Sequence, residues 1–98
     1  MDTDFPTPAN LRAAKKKLEK DLAQLKQDLE QLKQEKSAIE AIVNDTTKSK
    51  KEREKAQERV DLKEQQINTK EQQINTKEQQ ILEAQKQVTL AQERDLGI

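Results

Sequence analysis

Cysteine and histidine are both absent from this 98-residue chain, and a single aromatic residue, Phe5, is present. Without thiols or imidazoles there is no ordinary zinc site, cysteine nucleophile, imidazole base or haem ligand to build. Glycine is nearly missing as well. Gly97 is the only one, so neither a phosphate-cradling loop nor a dinucleotide fingerprint can form. Carboxylates alone could hold Mg²⁺ or Ca²⁺, yet no stretch carries the acidic ladder broken by a central glycine that a calcium loop requires. No metal, no cofactor and no enzymatic activity is expected.

Charge of one sign is lacking too. The 19 basic and 19 acidic residues cancel, nine of each in Met1–Ser49 and ten of each in Lys50–Ile98. Nucleic-acid binders carry a net positive face, so no specific nucleic acid is expected as a partner. Two local runs, Arg12–Lys20 and Lys48–Lys55, lean positive but have no stacking aromatics beside them. They read as solvated helix faces, with contact to phosphates or an anionic membrane as the lesser alternative. There is no apolar run long enough for transmembrane insertion, and the opening MDTDFPTP does not have the form of a signal peptide. A cytoplasmic location is expected, with a place in a virion or other assembly compatible.

Hydrophobic residues make up 31% of the chain and mean hydropathy is -1.20. Globular domains are roughly half apolar, so a broad layered core is not expected. What the chain has instead is a period of seven. From Val60 it reads VDLKEQQ, INTKEQQ, INTKEQQ, ILEAQKQ, VTLAQER, two of these units being identical. Val60, Ile67, Ile74, Ile81 and Val88 therefore lie along one narrow helical seam. Labelled a, this series leaves Lys63, Lys70, Lys77, Ala84 and Ala91 at d. Lysine stems can cover apolar surface while their heads reach water, which makes the seam tolerable but half polar.

The first half carries its own stripe. Leu11, Leu18, Leu25, Leu32 and Ile39 form a d series; Leu22, Leu29 and Val43, with Lys15 and Lys36, form the a series. The g positions hold Asp21, Asp28 and Glu35, and the e positions hold Arg12, Glu19, Lys26, Lys33 and Glu40. This alternating three–four spacing is that of a coiled coil.

Thr7 suits an N-cap and Pro8 the first helical position, so a helix is expected over 7–43, after an extended segment 1–6. Phe5 in that segment reads as a staple onto the first turn or as an anchor for a partner. Asn44 to Thr47 are poor helix formers, and Ser49 with Glu52 matches a capping box. A turn is expected at 44–48, a second helix at 49–95 and a tail at 96–98. The fold class is all-α: an antiparallel two-helix hairpin about 65 Å long, with one continuous rod of about 130 Å as the alternative. Folding about Thr46 pairs residues whose numbers total 92, placing Leu11 opposite Ile81 and Leu32 opposite Val60.

So narrow a seam calls for self-association, as a dimer or a four-helix bundle. In a parallel pair of first helices, Asp21 and Asp28 would meet Lys26 and Lys33 of the second copy. The expected function is that of a coiled-coil scaffold, spacer or oligomerisation module. In general character the chain is similar to small scaffolding and spacer proteins of viruses and cellular assemblies, a compositional likeness without a diagnostic motif. The alternative is a small helical regulator or inhibitor that docks on a larger protein. Leu62, Leu82, Leu90 and Leu96 lie off the main seam and, with Phe5, are its candidate contacts, although Leu82 and Leu90 could instead widen the core.

Overall fold

The computed structural model describes residues 7–96, so Phe5, the rest of segment 1–6 and residues 97–98 lie outside the described residues. Two helices make up the fold, α1 (Pro8–Val43) and α2 (Lys50–Asp95), and they pack antiparallel as a hairpin. No strand occurs among the described residues. The continuous-rod alternative fails at a particular place. The chain leaves helical geometry after Val43 and resumes it at Lys50.

Local chemistry explains both helix starts. The Asn10 amide donates to Thr7 Oγ1 at 3.1 Å, and the Glu52 amide donates to Ser49 Oγ at 3.1 Å. Each hydroxyl thus satisfies one of the orphan amides of a first helical turn. Between the helices Asp45 organises the turn. Its Oδ1 accepts from the Thr47 amide at 2.9 Å and the Thr47 hydroxyl at 2.6 Å, and the Lys48 amide closes onto the Asp45 carbonyl at 3.1 Å. These local bonds compete with helix, which is why this stretch breaks where Ala or Glu would continue. The Thr47 hydroxyl, then its amide, holds the Asp45 carboxyl below its ordinary pKa.

Arg53 has a role of its own. In a continuous rod it would be a polar core layer, whereas in the hairpin its Nε donates to the Val43 carbonyl at 2.9 Å. A cation thus sits on the carbonyl end of α1, where the helix dipole favours positive charge and where acceptors have no intrahelical donor.

The register differs from the one expected. Asp21 pairs with Lys77, Asp28 with Lys70 and Glu35 with Lys63, and the numbers of each pair total 98. Ile39 clusters with Ala56 and Val60, again one heptad away from the expected alignment. A total of 99 for the apolar layers sets Leu32 opposite Ile67 and Leu25 opposite Ile74. The reason is additive. The total of 92 would oppose Ile39 to Arg53 and leave Glu35 facing Ala56, wasting one apolar layer and one ion pair. The observed register aligns all five d residues of α1 with all five β-branched residues of α2 and gives each of the three g carboxylates a lysine.

The helix pair divides into two compact units. Leu25–Ile74 holds the turn and the cluster of Ile39, Ala56 and Val60, against which Ile42 and Val43 pack. Ile67 and Ile74 are also buried there. The other unit joins the described residues up to Gln24 with those from Asn75 onward; in it Val88 and Ala91 are buried, while Leu11, Leu18, Leu22, Ile81 and Ala84 are half-buried. No buried residue is polar among those described.

Candidate functional site

The seam is the candidate site, because it is where the residues singled out by the heptads converge. Along α2 every a and d position from Arg53 to Ala91 is buried or half-buried, and nearly every other position is exposed. Along α1 the covered stripe is wider and shallower. Leu11, Leu18, Leu22, Leu25, Leu29 and Leu32 are all half-buried, as are Asp21, Asp28, Glu35 and Ile42 at g. Ile39 alone on α1 is buried.

The lysines at d of α2 complete the geometry. The side chains of Lys63, Lys70 and Lys77 are 24–25% exposed, so their stems cover the neighbouring leucines while the ammonium groups emerge at the edge. There each meets a carboxylate: Lys63 Nζ lies 2.8 Å from Glu35 Oε1, Lys70 3.8 Å from Asp28 Oδ2, and Lys77 3.8 Å from Asp21 Oδ2. The hydrogen bond from Lys63, reinforced by its charge, holds the Glu35 carboxyl below the usual carboxylate range.

One layer is wholly charged. Lys36 at a of α1 and Lys63 at d of α2 fall in the same layer, and two ammonium groups side by side repel. They separate by each taking a carboxylate next to the other: Lys63 that of Glu35, and Lys36 that of Glu64 at 3.2 Å. A polar layer of this kind costs stability in a coiled coil but penalises every other alignment, and so specifies register. Lys15, at the other polar a position, lies 3.9 Å from Glu19 on its own helix.

Two groups of residues escaped the sequence reading. Ala56 and Ile42 belong to the apolar cluster at the turn. Stepping back seven from Lys63 reaches Ala56, but a small residue inside a charged run gives little signal. The second group is the carboxylate partners of the lysines. Asp21 and Asp28, expected to meet lysines of a second copy in a parallel pair, are instead engaged by Lys77 and Lys70 of the same chain. The matching seven-residue spacings of the two triads carried that signal.

The candidate partner contacts fall outside the seam. Leu82 is 71% exposed, Leu90 51%, Leu96 73% and Leu62 55%, so neither Leu82 nor Leu90 widens the core of the single chain. Phe5 lies outside the described residues. An open depression of about 600 Å³ runs beside the ion pairs, with Leu32, Leu62, Lys63, Gln66 and Lys70 among its walls. The one hydroxyl among its walls, that of Thr69, donates to the Gln65 carbonyl at 3.1 Å. Among the described residues no group of three or more Asp or Glu side chains is placed to hold a metal ion, and no helix is long and apolar enough to cross a membrane. The arrangement can align two helices and fix their stagger. No protein-family model, curated protein or solved structure matches this chain.

Proposed function

We propose that the chain is a non-enzymatic coiled-coil structural protein, a scaffold, spacer or oligomerisation module that works through its geometry, in the cytoplasm or within a virion or other assembly. The observation that carries this reading is the seam itself. Its chemically distinctive residues form four lysine–carboxylate pairs between the helices, two of them in one charged layer, and all serve the alignment of two helices. Self-association is supported by the shallow cover on α1, whose six leucines are half-buried rather than buried beside a single helix. A dimer, making a four-helix bundle, is the smallest closed form. Sedimentation equilibrium over a micromolar concentration series tests this reading. A reversible dimer is the expected result, and a monomer at every concentration would overturn it.

A specific observation favours a second reading, that of a small helical regulator docking on a larger protein. Leu82 and Leu90 near the end of α2 and Leu96 just beyond it are large, apolar and more than half exposed. Capture of a partner by the wild type, lost in Leu82→Glu with Leu90→Glu while the hairpin stays helical, is the result this reading expects. The half-polar seam lends it no support, because the lysines there already have partners in the chain.

A further inference from the structure

We infer that the occupant of the remaining α1 flank is a second copy of the same flank, running antiparallel across a two-fold axis near Lys26. The inference rests on the self-association proposed above and names its surface. Helix α2 lies over the d positions of α1, since the covered stripe there spans g, d and a. The a residues Leu22 and Leu29 are therefore at the edge of the contact, and the register sets them opposite Lys77 and Lys70 rather than opposite apolar side chains. Next to them run the e positions. Arg12, Glu19, Lys26 and Lys33 are exposed and Glu40 is half-buried.

Charge along this row is self-complementary in one antiparallel alignment. With Lys26 on the axis, Arg12 meets Glu40 of the second copy and Glu19 meets its Lys33, and by symmetry each pair occurs twice. Within the e row only Lys26 meets its like; at the neighbouring a positions Lys15 faces Lys36 of the second copy, each already beside a carboxylate of its own chain. The same alignment brings the a residues Leu22 and Leu29 of one copy beside Leu29 and Leu22 of the other. Sliding by one heptad in one direction brings Glu19 to Glu40 and Lys26 to Lys33, all repulsive. Sliding in the other brings Arg12 to Lys33, leaving only Glu19 with Lys26 attractive. A closed isologous contact of this kind requires self-matching about an axis, and the row supplies it. The parallel alternative would need Asp21 and Asp28, which are engaged across the hairpin by Lys77 and Lys70, whereas among the described residues Glu19 is engaged only by Lys15 of its own helix, at 3.9 Å.

Charge exchange tests the pairing, with sedimentation equilibrium as readout and circular dichroism as the check on folding. Glu19→Lys and Lys33→Glu each place two like-charged pairs in the contact, and each should weaken the dimer roughly tenfold, as expected for surface pairs counted twice. The double variant Glu19→Lys with Lys33→Glu restores opposite charges and should return the dimer to within about threefold of wild type. Lys26→Gln, which removes the repulsion on the axis, should tighten it by roughly twofold to fivefold. A dimer that ignores all four variants, or single losses that the double variant compounds, would overturn this surface while leaving self-association standing. A wild-type chain that stays monomeric would remove both.

Discussion

The two helices contribute unequally to one seam. Helix α2 presents a narrow row of β-branched residues, and Val60, Ile67, Ile74 and Val88 are buried. Helix α1 presents leucines on a wider face and buries only Ile39. The same contact thus fills one partner and leaves the other partly uncovered. The difference follows from what faces what. The a residues of α2 sit beneath the d leucines of α1, while the a leucines Leu22 and Leu29 of α1 sit beside the stems of Lys77 and Lys70, which turn outward to Asp21 and Asp28. A row of isoleucine or leucine at those d positions would close the hairpin more tightly but would accept any heptad alignment.

The largest test of that asymmetry is Ile67→Asp with Ile74→Asp. Two carboxylates without partners would be placed in the filled side of the seam, at a cost on the order of 4–5 kcal/mol or more. Loss of most helical circular dichroism is expected, whereas Gln66→Glu with Gln73→Glu on exposed positions should leave it nearly unchanged. Equal tolerance of the two pairs would reassign the buried face. Alanine substitutions sharpen the comparison: Ile67→Ala should cost about 2 kcal/mol in urea unfolding, and Leu29→Ala about 1 kcal/mol or less because its side chain is only half covered. Equal costs would contradict the uneven burial.

Smaller effects come from the edge. Lys70→Glu sets a carboxylate against Asp28 and should lower stability by about 1 kcal/mol, with partial recovery in Lys70→Glu combined with Asp28→Lys. Unequal recovery between high and low salt is the expected signature, since such pairs are screened. Acid has the smallest effect. The carboxyls of Glu35 and Asp45 are held below their ordinary pKa, so their contribution is present at neutral pH and is lost as pH falls through the lowered values. The melting temperature should therefore drop as the buffer is taken from about pH 5 to about pH 3. Glu35→Gln and Asp45→Asn should each flatten that slope, and an unchanged slope would contradict these hydrogen-bonded pairs.

Much of this architecture was legible in the heptads. Thr7 and Ser49 announced both helix starts, and the absence of glycine and proline from Ala9–Leu96 announced the long helices. Spacing alone places Val60, Ile67, Ile74, Ile81 and Val88 on one face of a helix. The stagger is not fixed by spacing, because apolar layers repeat every seven residues and neighbouring alignments bury almost the same side chains. Totals of 92 and 99 differ mainly in Arg53, Glu35 and Lys77, and a polar residue is discriminating only once its partner is identified. The weak helix formers centre on Thr46, whereas the Asp45 turn and the Arg53 bond to Val43 shift the pivot toward Ser49. The surplus exposure on α1 was not legible, because heptad position reports a face and not how deeply that face is covered.

Disulfide trapping in dilute solution tests the central claim, an antiparallel hairpin aligned by its charged edge, most directly. Two double variants are compared under mild oxidation, Leu32→Cys with Ile67→Cys and Leu32→Cys with Val60→Cys. The first should close an intramolecular disulfide rapidly, and the second should lag well behind it. Faster closure of the second pair would move the helices by one heptad, and crosslinks formed only between chains would replace the hairpin with a rod.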